Sequence, residues 1–538
     1  MSRHYLYPSS LGGLFVALFL GGGFVLKTFG LPFIIGVAPY WQTQVDDVTQ
    51  YIAGFNMYFT SGWQFPLLAF DSLNYPQGTR ATFVDAIPLY ALLLKLLVPA
   101  SLAPFNPYGV WVALCFIFQM VGAWWISREL RLNSWLFLVA LSVFLLISPA
   151  LMARIGHISL MSHWIILFAL ALYIRTRRLP DFPKLGWTGL LVSAFYVNIY
   201  LFGMASGVYV AALFSKSFRW NIRLIIDFAF PFIVLMGSLF VTLLPLPSGE
   251  ITREWGFGYY SMNLLSPVLG GRLFQVQASV GAGQYEGFNY LGLGVILALG
   301  WSLRMWRRAD QGFFYRHWPL STLMVGYALY ALSNQIYFGG AQVLVVEYPS
   351  VLESFTSQFR ASGRFFWPVG YCVVIFSMLM LYRSLKRGWW VSAVLILLFL
   401  QLADLKSRYS VLKDTLSRQP VQQIDSAAWD QLLGGKVRHL YFYPKFKCGA
   451  QPPHDSLLPV MKYAAERQYS LNTGYVARYT PRCDDIYDEI ASSALEASAY
   501  IFVKKEFDGL DGVVKFFSGS ADLECHEVDF AFVCLGRD

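Results

Sequence analysis

Long apolar runs separated by short polar segments occupy the chain up to about residue 404. A run of roughly 20 apolar residues can cross a hydrocarbon core of about 30 Å. We predict spans at about 11–29, 106–127, 133–152, 158–174, 224–245, 288–303, 319–335, 365–382 and 388–404. Residues 186–214 are too long for one crossing and short for two, so we predict two short helices that meet at a polar break at Asn198. The pattern predicts an α-helical polytopic membrane protein with about eleven transmembrane helices.

From about residue 405 the pattern changes. Charged residues become frequent, and short alternating apolar runs appear, namely VRHLYFY, AYIFVKK, VVKFFS and FAFVCL. Runs of this kind predict β-strands. We therefore predict two domains: a transmembrane module over residues 1–404 and a small C-terminal α/β domain, or an α+β domain, over residues 405–538.

The composition agrees with a membrane protein. Hydrophobic residues make up 56% of the 538 residues, and the mean hydropathy is +0.48. A soluble domain of this length could not bury so much apolar surface. The net charge of +9 is therefore interpreted as loop charge that sets orientation, and we expect no nucleic-acid partner.

Lysine and arginine residues cluster in alternate loops, which predicts the orientation of the chain. The basic clusters fall within 128–131, 175–184, 216–223, 304–316 and 383–387. Because basic loops face the cytoplasm, the outer loops are 30–105, 153–157, 247–288 and 336–364, with the N-terminus cytoplasmic and the C-terminal domain periplasmic. Each crossing takes the chain to the other side of the membrane, and the segments before and after 81–103 are both predicted to lie outside. Residues 81–103 therefore should not cross, and we interpret them as a helix in the outer interface. A true span, with one topology error elsewhere, is the alternative. We interpret the first span as an uncleaved anchor rather than a signal peptide.

Four of the six cysteines lie in the tail, at Cys448, Cys483, Cys525 and Cys534. An even number of cysteines in an oxidising compartment predicts two disulfides. The pairing Cys448–Cys483 with Cys525–Cys534 closes the shortest loops of the three connectivities. A zinc site is the alternative, but no C-x-x-C spacing supports it.

The first outer loop contains an acidic pair, Asp46 and Asp47, in the segment VDDVTQYIAGFNMYF. Tyr51, Phe55 and Tyr58 follow at helical spacing, which predicts an interfacial amphipathic helix with carboxylates at its start. Ionisable groups at a bilayer edge are costly and therefore candidates for catalysis. The alternative is helix capping by one of the two aspartates. Asp85, later in the same loop, is a candidate for substrate binding.

The second outer turn, SPALMARIGHISLMSHW, carries Arg154, His157 and His163. Arginine and histidine donate several hydrogen bonds to phosphate, so Arg154 and His157 are candidates for binding a donor phosphate. His163 is a candidate for substrate binding, with capping or packing in its own span as the alternative. The two histidines are six residues apart, which is not the spacing of a helical metal pair.

The third and fourth outer loops supply the remaining candidates. The segment 247–288 is rich in glycine and aromatic residues, which suits a lid that orders when substrate binds. Glu286, near the end of this segment, could orient a sugar hydroxyl or hold a cation; the alternative is an exposed loop charge. Tyr259, Tyr260 and Tyr290 could stack on sugars; the alternative is an interfacial aromatic belt. Arg360 and Arg364, four apart on a predicted helix, form a candidate grip for a lipid phosphate, with snorkelling to headgroups as the alternative.

The layout resembles the GT-C class of polyprenyl-phosphate-sugar-dependent integral membrane glycosyltransferases, in particular a poorly characterised bacterial branch. In the part of the chain that carries the resemblance, about 1–410, a first span precedes the acidic VDDVTQY segment. Juxtamembrane helices, the outer turn SPALMARIGH and an extracytoplasmic C-terminal domain follow.

The resemblance implies a single-sugar transfer at the periplasmic face of the bacterial inner membrane, usually with inversion. The donor is a polyprenyl-phosphate-linked sugar, and the acceptor is a cell-surface glycan, a lipid or a protein. It implies that Asp46 or Asp47 is the general base and that Arg154, His157, Arg360 and Arg364 steady the leaving phosphate. No cofactor is certain; in this class a divalent cation, Mg²⁺ or Mn²⁺, sometimes participates. The tail lacks a W-W-D-Y-G-type motif, which makes oligosaccharide transfer to asparagine an unsuitable assignment. The competing hypotheses are a transporter or flippase of a lipid-linked glycan, and an assembly protein.

Overall fold

The computed structural model describes residues 11–132, 134–216, 222–247, 253–273, 281–449, 454–517 and 523–536. Its internal contacts divide the chain into two compact units. The first unit comprises Met1–Ile34, Val110–Leu235 and Arg253–Leu416, and the second comprises Ile35–Gly109, Met236–Thr252 and Ser417–Asp538. The first unit is therefore mostly apolar helices, and the second combines the first outer loop with the tail.

The long helices follow the apolar runs of the sequence. They are Leu11–Thr28, Tyr108–Glu129, Trp135–Leu146, Trp164–Arg178, Lys184–Val197, Ile199–Lys216, Ile222–Thr242, Leu293–Asp310, Trp318–Leu332, Trp367–Ser384 and Arg387–Ser417. Shorter helices of the same unit are Gly30–Ile34, Pro149–Met152, Phe313–Arg316 and Glu353–Gln358. Each predicted span thus contains a helix, and the last one continues to Ser417, beyond the boundary predicted at 404.

Within the described residues, eight helical segments are long and apolar enough to cross a membrane. They are Leu11–Thr28, Tyr108–Glu129, Trp135–Met152, Ile158–Arg178, Ile199–Lys216, Ile222–Thr242, Ser362–Ser384 and Arg387–Ser417. The helices Lys184–Val197, Leu293–Asp310 and Trp318–Leu332 are shorter or less apolar. The chain is therefore a polytopic membrane protein, and crossings by these last three helices stay a prediction.

The polar break at Asn198 is present. One helix ends at Val197 and the next begins at Ile199, while Asn198 has extended backbone angles. Its side chain donates to Ser159 Oγ at 3.0 Å and accepts from the Tyr200 backbone nitrogen at 2.9 Å. The amide side chain therefore replaces hydrogen bonds that the interrupted helix cannot make.

The second unit contains the first outer loop and the tail. Its helices are Asp47–Thr60, Pro88–Leu97, Ser426–Leu433, His454–Arg467, Ile486–Ser492 and Gly509–Val514. Pro88–Leu97 has ten residues and is about 15 Å long, which is half of a hydrocarbon core. This helix is therefore too short to cross by itself, and the interpretation of 81–103 as a helix in the outer interface stays a prediction.

A five-stranded mixed sheet forms the core of the tail. The strands are β5 (His439–Tyr443), β6 (Ser470–Leu471), β7 (Ser498–Val503), β8 (Leu523–Val528) and β9 (Ala531–Gly536). Their order in the sheet is β6-β5-β7-β9-β8. Strand β5 pairs in parallel with β6 and β7, and β9 pairs antiparallel with β7 and β8. Two small hairpins, β1–β2 (Ala69–Phe70, Thr79–Arg80) and β3–β4 (Gln335–Phe338, Ala341–Val345), complete the strands of the described chain. The predicted α/β class of the tail is confirmed.

One predicted strand is wrong. The run VVKFFS forms the end of the helix Gly509–Val514 and a 3₁₀ turn at Lys515–Phe517. Val513 and Phe517, four residues apart, are buried, while Val514 is exposed, so a helical spacing buries this run as well as an alternating one would. Elsewhere in the tail, Cys448 is bonded to Cys483 and Cys525 to Cys534, which is the connectivity predicted by loop length and excludes these four sulfurs from a zinc site.

Candidate functional site

The first unit gathers two arginine side chains and one histidine side chain around one carboxylate. Glu286 Oε2 lies 2.6 Å from Arg154 Nη1 and 2.9 Å from Arg364 Nε, and Glu286 Oε1 lies 3.1 Å from His157 Nε2. Arg154 is completely buried, and 12–13% of the Glu286 and Arg364 side chains is exposed. We call these four residues the cationic cluster. Sequence analysis placed them in three separate outer loops, and the fold brings them together.

Two glycines allow the segments that carry Glu286 and Arg364 to meet. Glu286 lies in the 3₁₀ segment Ala282–Gly287 and Arg364 in the 3₁₀ segment Ser362–Phe366. A Cβ atom on Gly363 would lie 2.5 Å from the Gly287 Cα atom, so this crossing excludes any side chain. Asn289 fixes the crossing, because its side-chain amide donates to both the Gly287 and the Gly363 carbonyls.

Arg154 and His157 lie in the turn that follows the short helix Pro149–Met152. The His157 backbone nitrogen donates to the Arg154 carbonyl at 2.8 Å, which closes the turn. The Arg154 guanidinium also donates to the Tyr285 carbonyl at 2.9 Å and lies over the Tyr285 ring. Backbone, ring and carboxylate together hold this buried cation in one orientation.

The cationic cluster carries an excess of positive charge. Two guanidinium groups share one carboxylate, so Arg154, Arg364 and Glu286 together carry one net positive charge. Burial alone would raise the pKa of Glu286, but Arg364, the His157 hydrogen bond and Arg154 outweigh it and hold this pKa well below its usual range. Burial lowers the pKa of Arg154, and the Glu286 charge opposes that effect. Glu286 is therefore ionised at neutral pH, and the site favours an anion over a metal cation.

Arg360 and Arg364 do not share a helix face, contrary to the sequence prediction. The helix Glu353–Gln358 ends before Arg360, and Arg364 lies in the next 3₁₀ segment. The helix cannot continue because the Ala361 and Gly363 backbone nitrogens donate to the Tyr200 hydroxyl and the Tyr260 carbonyl. Arg364 therefore reaches the cationic cluster, where it lies over the Tyr200 ring.

Arg360 lies instead among the aromatic residues of the third outer loop. Its Nη1 atom donates to the Trp255 carbonyl at 3.1 Å and lies 3.5 Å from Glu254 Oε2. Its guanidinium lies over the Tyr260 ring. Tyr259 packs against both Trp255 and Tyr260, with ring centroids 5.3 and 4.9 Å apart. Glu254 and Trp255 were not singled out from the sequence, although both occur in the segment REWGFGYY.

Two predicted substrate contacts are buried by the fold. Tyr290 is 1% exposed and donates to Asp404 Oδ2 at 2.6 Å, so it cannot stack on a sugar. His163 is completely buried, lies 2.7 Å from the Tyr371 hydroxyl through Nδ1 and packs against the Trp367 ring. These contacts agree with the packing alternative considered for His163.

The acidic pair begins a helix in the second unit. Asp46 occupies the N-cap position of the helix Asp47–Thr60, is exposed and makes no side-chain capping hydrogen bond. Asp47 is half-buried in the first turn. Capping therefore does not account for the Asp46 carboxylate. Asp85 accepts a hydrogen bond at 3.1 Å from Gln50, one turn into the same helix.

The described residues contain no group of three or more histidine, cysteine, aspartate or glutamate side chains that could hold a metal ion. Glu286 is surrounded by cations, and Asp46, Asp47 and Asp85 do not form such a group. Among the described side chains no set fits a resident divalent cation, and no chemical step below depends on one.

Comparisons with known proteins agree with this architecture. The model of the family described as Domain of unknown function (DUF6311) matches residues 18–406, and that of the DUF6311 C-terminal domain matches residues 428–536. No curated protein matches the sequence. Among solved structures, the arabinofuranosyltransferase AftD from Mycobacteria is similar, with a TM-score of 0.55 and 14% identity over 99% of this chain. The match covers 40% of AftD. The GT-C fold recognised from the sequence is thereby confirmed.

Proposed function

We propose that this chain, which belongs to the DUF6311 family, is a glycosyltransferase that moves a single sugar from a polyprenyl-phosphate donor to a cell-surface acceptor on the periplasmic side of the inner membrane. The similarity in fold to an arabinofuranosyltransferase supports the reaction class. Because the match covers 40% of AftD at 14% identity, it gives no reason to assign arabinofuranose as the sugar.

The net positive charge of the cationic cluster is the observation that carries this proposal. Arg364 lies in the first turn of the apolar segment Ser362–Ser384, and Arg154 lies between two other apolar helical segments, so both arginines are near the ends of candidate membrane spans. A lipid phosphate has its charge at the membrane edge, where the partly exposed Arg364 guanidinium can donate hydrogen bonds to it and the buried Arg154 adds positive charge. Glu286 keeps two arginines close together without cancelling both charges.

The reaction needs one proton transfer and one exchange of bonds at the anomeric carbon. The acceptor hydroxyl gives its proton to Asp46 or Asp47, and its oxygen forms a bond to the anomeric carbon. The bond from that carbon to the phosphate oxygen breaks, its electron pair stays on the phosphate, and the configuration inverts. The leaving polyprenyl phosphate gains a negative charge, which Arg154, Arg364 and His157 offset. Asp46 is the better candidate base because its carboxylate is exposed and does not cap its helix.

The proposal is tested with purified protein in proteoliposomes and a polyprenyl phosphate that carries a radiolabelled sugar. Arg364→Ala should raise the donor KM by about 10- to 100-fold, since a hydrogen bond to a charged group contributes about 1.5–3 kcal/mol. Arg253→Ala is the matched control, because this arginine makes an exposed ion pair with Glu353. Movement of the labelled lipid across the bilayer without cleavage of its sugar–phosphate bond would instead support the flippase hypothesis.

A further inference from the structure

A cluster of three aromatic rings, two of them exposed, lies beside the cationic cluster in the first unit. The rings belong to Trp255, Tyr259 and Tyr260, whose centroids are 4.9–5.9 Å apart. Trp255 is 66% exposed and Tyr259 is 44% exposed, whereas Tyr290, the other tyrosine expected to stack on sugars, is 1% exposed. We call these three rings the aromatic platform.

The backbone holds the aromatic platform in place. A Cβ atom on Gly283 would lie 2.4 Å from the Tyr259 ring, so this ring rests directly on the peptide backbone. A Cβ atom on Gly256 would lie 2.4 Å from the Tyr260 ring, over which the Arg360 guanidinium also lies. Two glycines therefore give the rings a rigid support, which lowers the entropy lost when a ligand stacks on them.

Hydrogen-bonding groups border the rings. Glu254 and Arg360 form an ion pair at 3.5 Å, with 20% and 34% of their side chains exposed. A lipid chain on the rings would remove water from these charges without replacing its hydrogen bonds. A sugar ring has an apolar face of C–H groups and a rim of hydroxyls, so it satisfies both the rings and the ion pair.

The aromatic platform is adjacent to the cationic cluster through the backbone. The Tyr260 carbonyl accepts from the Gly363 nitrogen at 3.1 Å, and Gly363 directly precedes Arg364. A sugar undergoing transfer must be shielded from water. The Trp255 ring is 66% exposed and does not provide this shielding. An acceptor chain, in contrast, needs an open surface from which its remaining sugars extend into solution.

We propose that the aromatic platform binds the acceptor and that the acceptor is a carbohydrate chain rather than a protein or a lipid. That the aromatic platform binds sugar is inferred from the rings and the ion pair alone. That the bound sugar is the acceptor rests on the proposed glycosyl transfer.

Binding is measured by fluorescence anisotropy with end-labelled hexasaccharides of arabinose, mannose, glucose and galactose, added to the full-length protein in lipid nanodiscs. Trp255→Ala and Tyr259→Ala should each weaken the tightest of the four about three- to tenfold, the range expected for loss of one aromatic contact. Tyr259→Phe keeps the ring and should stay within about twofold. Trp301→Ala, an exposed tryptophan on the helix Leu293–Asp310, is the matched control and should bind as the wild type does. Unchanged binding in both alanine variants, or no binding of any hexasaccharide to the wild-type protein, would overturn the proposal.

Two further measurements distinguish the acceptor from other occupants. Trp255→Ala should bind the radiolabelled polyprenyl-phosphate sugar as tightly as the wild type does, and a loss of donor binding would reassign the platform to the donor sugar. A spin label on Tyr259→Cys should be reached by a water-soluble nickel complex, and accessibility to oxygen alone would place the rings in lipid. The hexasaccharide assay needs no turnover, so it decides sugar binding even if the protein transfers no sugar. If the wild-type protein transfers sugar but Trp255→Ala and Tyr259→Ala bind the hexasaccharide as the wild type does, the proposal for the aromatic platform is overturned and the proposed glycosyl transfer stands.

Discussion

Removal of the Glu286 carboxylate is the perturbation that the structure makes most informative. Glu286→Ala leaves Arg154 completely buried beside Arg364, with no carboxylate between the two guanidinium groups. At contact distances of 2.6 and 2.9 Å, each ion pair is worth about 6 kcal/mol at an effective dielectric constant of about 20. Burial of the ions opposes this attraction by several kcal/mol each, so breaking the cluster should cost about 3–5 kcal/mol of stability.

The measurement is unfolding of the full-length protein in mixed micelles, followed by tryptophan fluorescence. Glu353→Ala is the matched control, because it removes a carboxylate from an ion pair of 3.3 Å whose side chains are 66% and 50% exposed. Exposed pairs contribute about 0–1 kcal/mol. Glu286→Gln keeps an acceptor oxygen and should lie between the two. Equal losses for Glu286→Ala and Glu353→Ala would show that the cationic cluster does not exist as described.

Three other expectations concern stability. The pKa of Glu286 is depressed in the folded state, so its contribution to stability should be complete above the unfolded pKa of 4.5 and decline as the pH falls below it. Because His157 contacts the same carboxylate, the comparison is made between His157→Gln and His157→Gln/Glu286→Gln: their difference in unfolding free energy should be constant from about pH 6 to 8, and a decline within that range would contradict the assignment. Asn198→Ala removes hydrogen bonds of 3.0 and 2.9 Å and should cost about 1–3 kcal/mol in the same unfolding assay, whereas a cost near zero would mean that the helix break needs no polar side chain. Cys483→Ser opens a disulfide of sequence separation 35, and Cys525→Ser opens one of separation 9. Because the longer loop loses more entropy on closure, the first variant should destabilise the full chain by about 4 kcal/mol and the second by about 2.5 kcal/mol; the opposite order in thermal unfolding would refute the loop-closure account.

Features that depend on local pattern could be predicted from the sequence. Each apolar run of sufficient length became a helix, and the run around Asn198 divided in two because its length fits neither one span nor two. The cysteine positions predicted both disulfides because the tail contains four cysteines and short loops close most easily. Length and composition therefore determined most of the fold.

Features that depend on distant contacts could not be predicted. Glu286 was expected to contact substrate, yet its partners Arg154 and Arg364 are 132 and 78 residues away in sequence. The helix expected to carry Arg360 ends early because tertiary partners take the Ala361 and Gly363 nitrogens. No local pattern indicates such hydrogen bonds.

The grouping of the first outer loop with the tail was also beyond the sequence. The Leu471 nitrogen donates to the Ser72 carbonyl, and the Tyr75 nitrogen donates to the Leu471 carbonyl. These backbone hydrogen bonds join residues about four hundred positions apart within the second unit, and backbone pairing across such a separation leaves no trace in hydrophobic periodicity. The helix that carries Asp46 and Asp47 therefore belongs to the same compact unit as the tail.

Sugar transfer by the purified protein tests the central claim most directly. Proteoliposomes receive a polyprenyl phosphate with a radiolabelled sugar and a hexasaccharide acceptor, and the labelled heptasaccharide is quantified for wild type, Asp46→Asn and Asp47→Asn. Asp46→Asn should unfold as the wild type does, since Asp46 makes no side-chain capping hydrogen bond, and the unfolding of Asp47→Asn is measured beside it as a control for folding. We expect transfer by the wild type and a loss of kcat of about 10²–10⁴-fold in at least one variant. Full transfer by both variants would contradict the account.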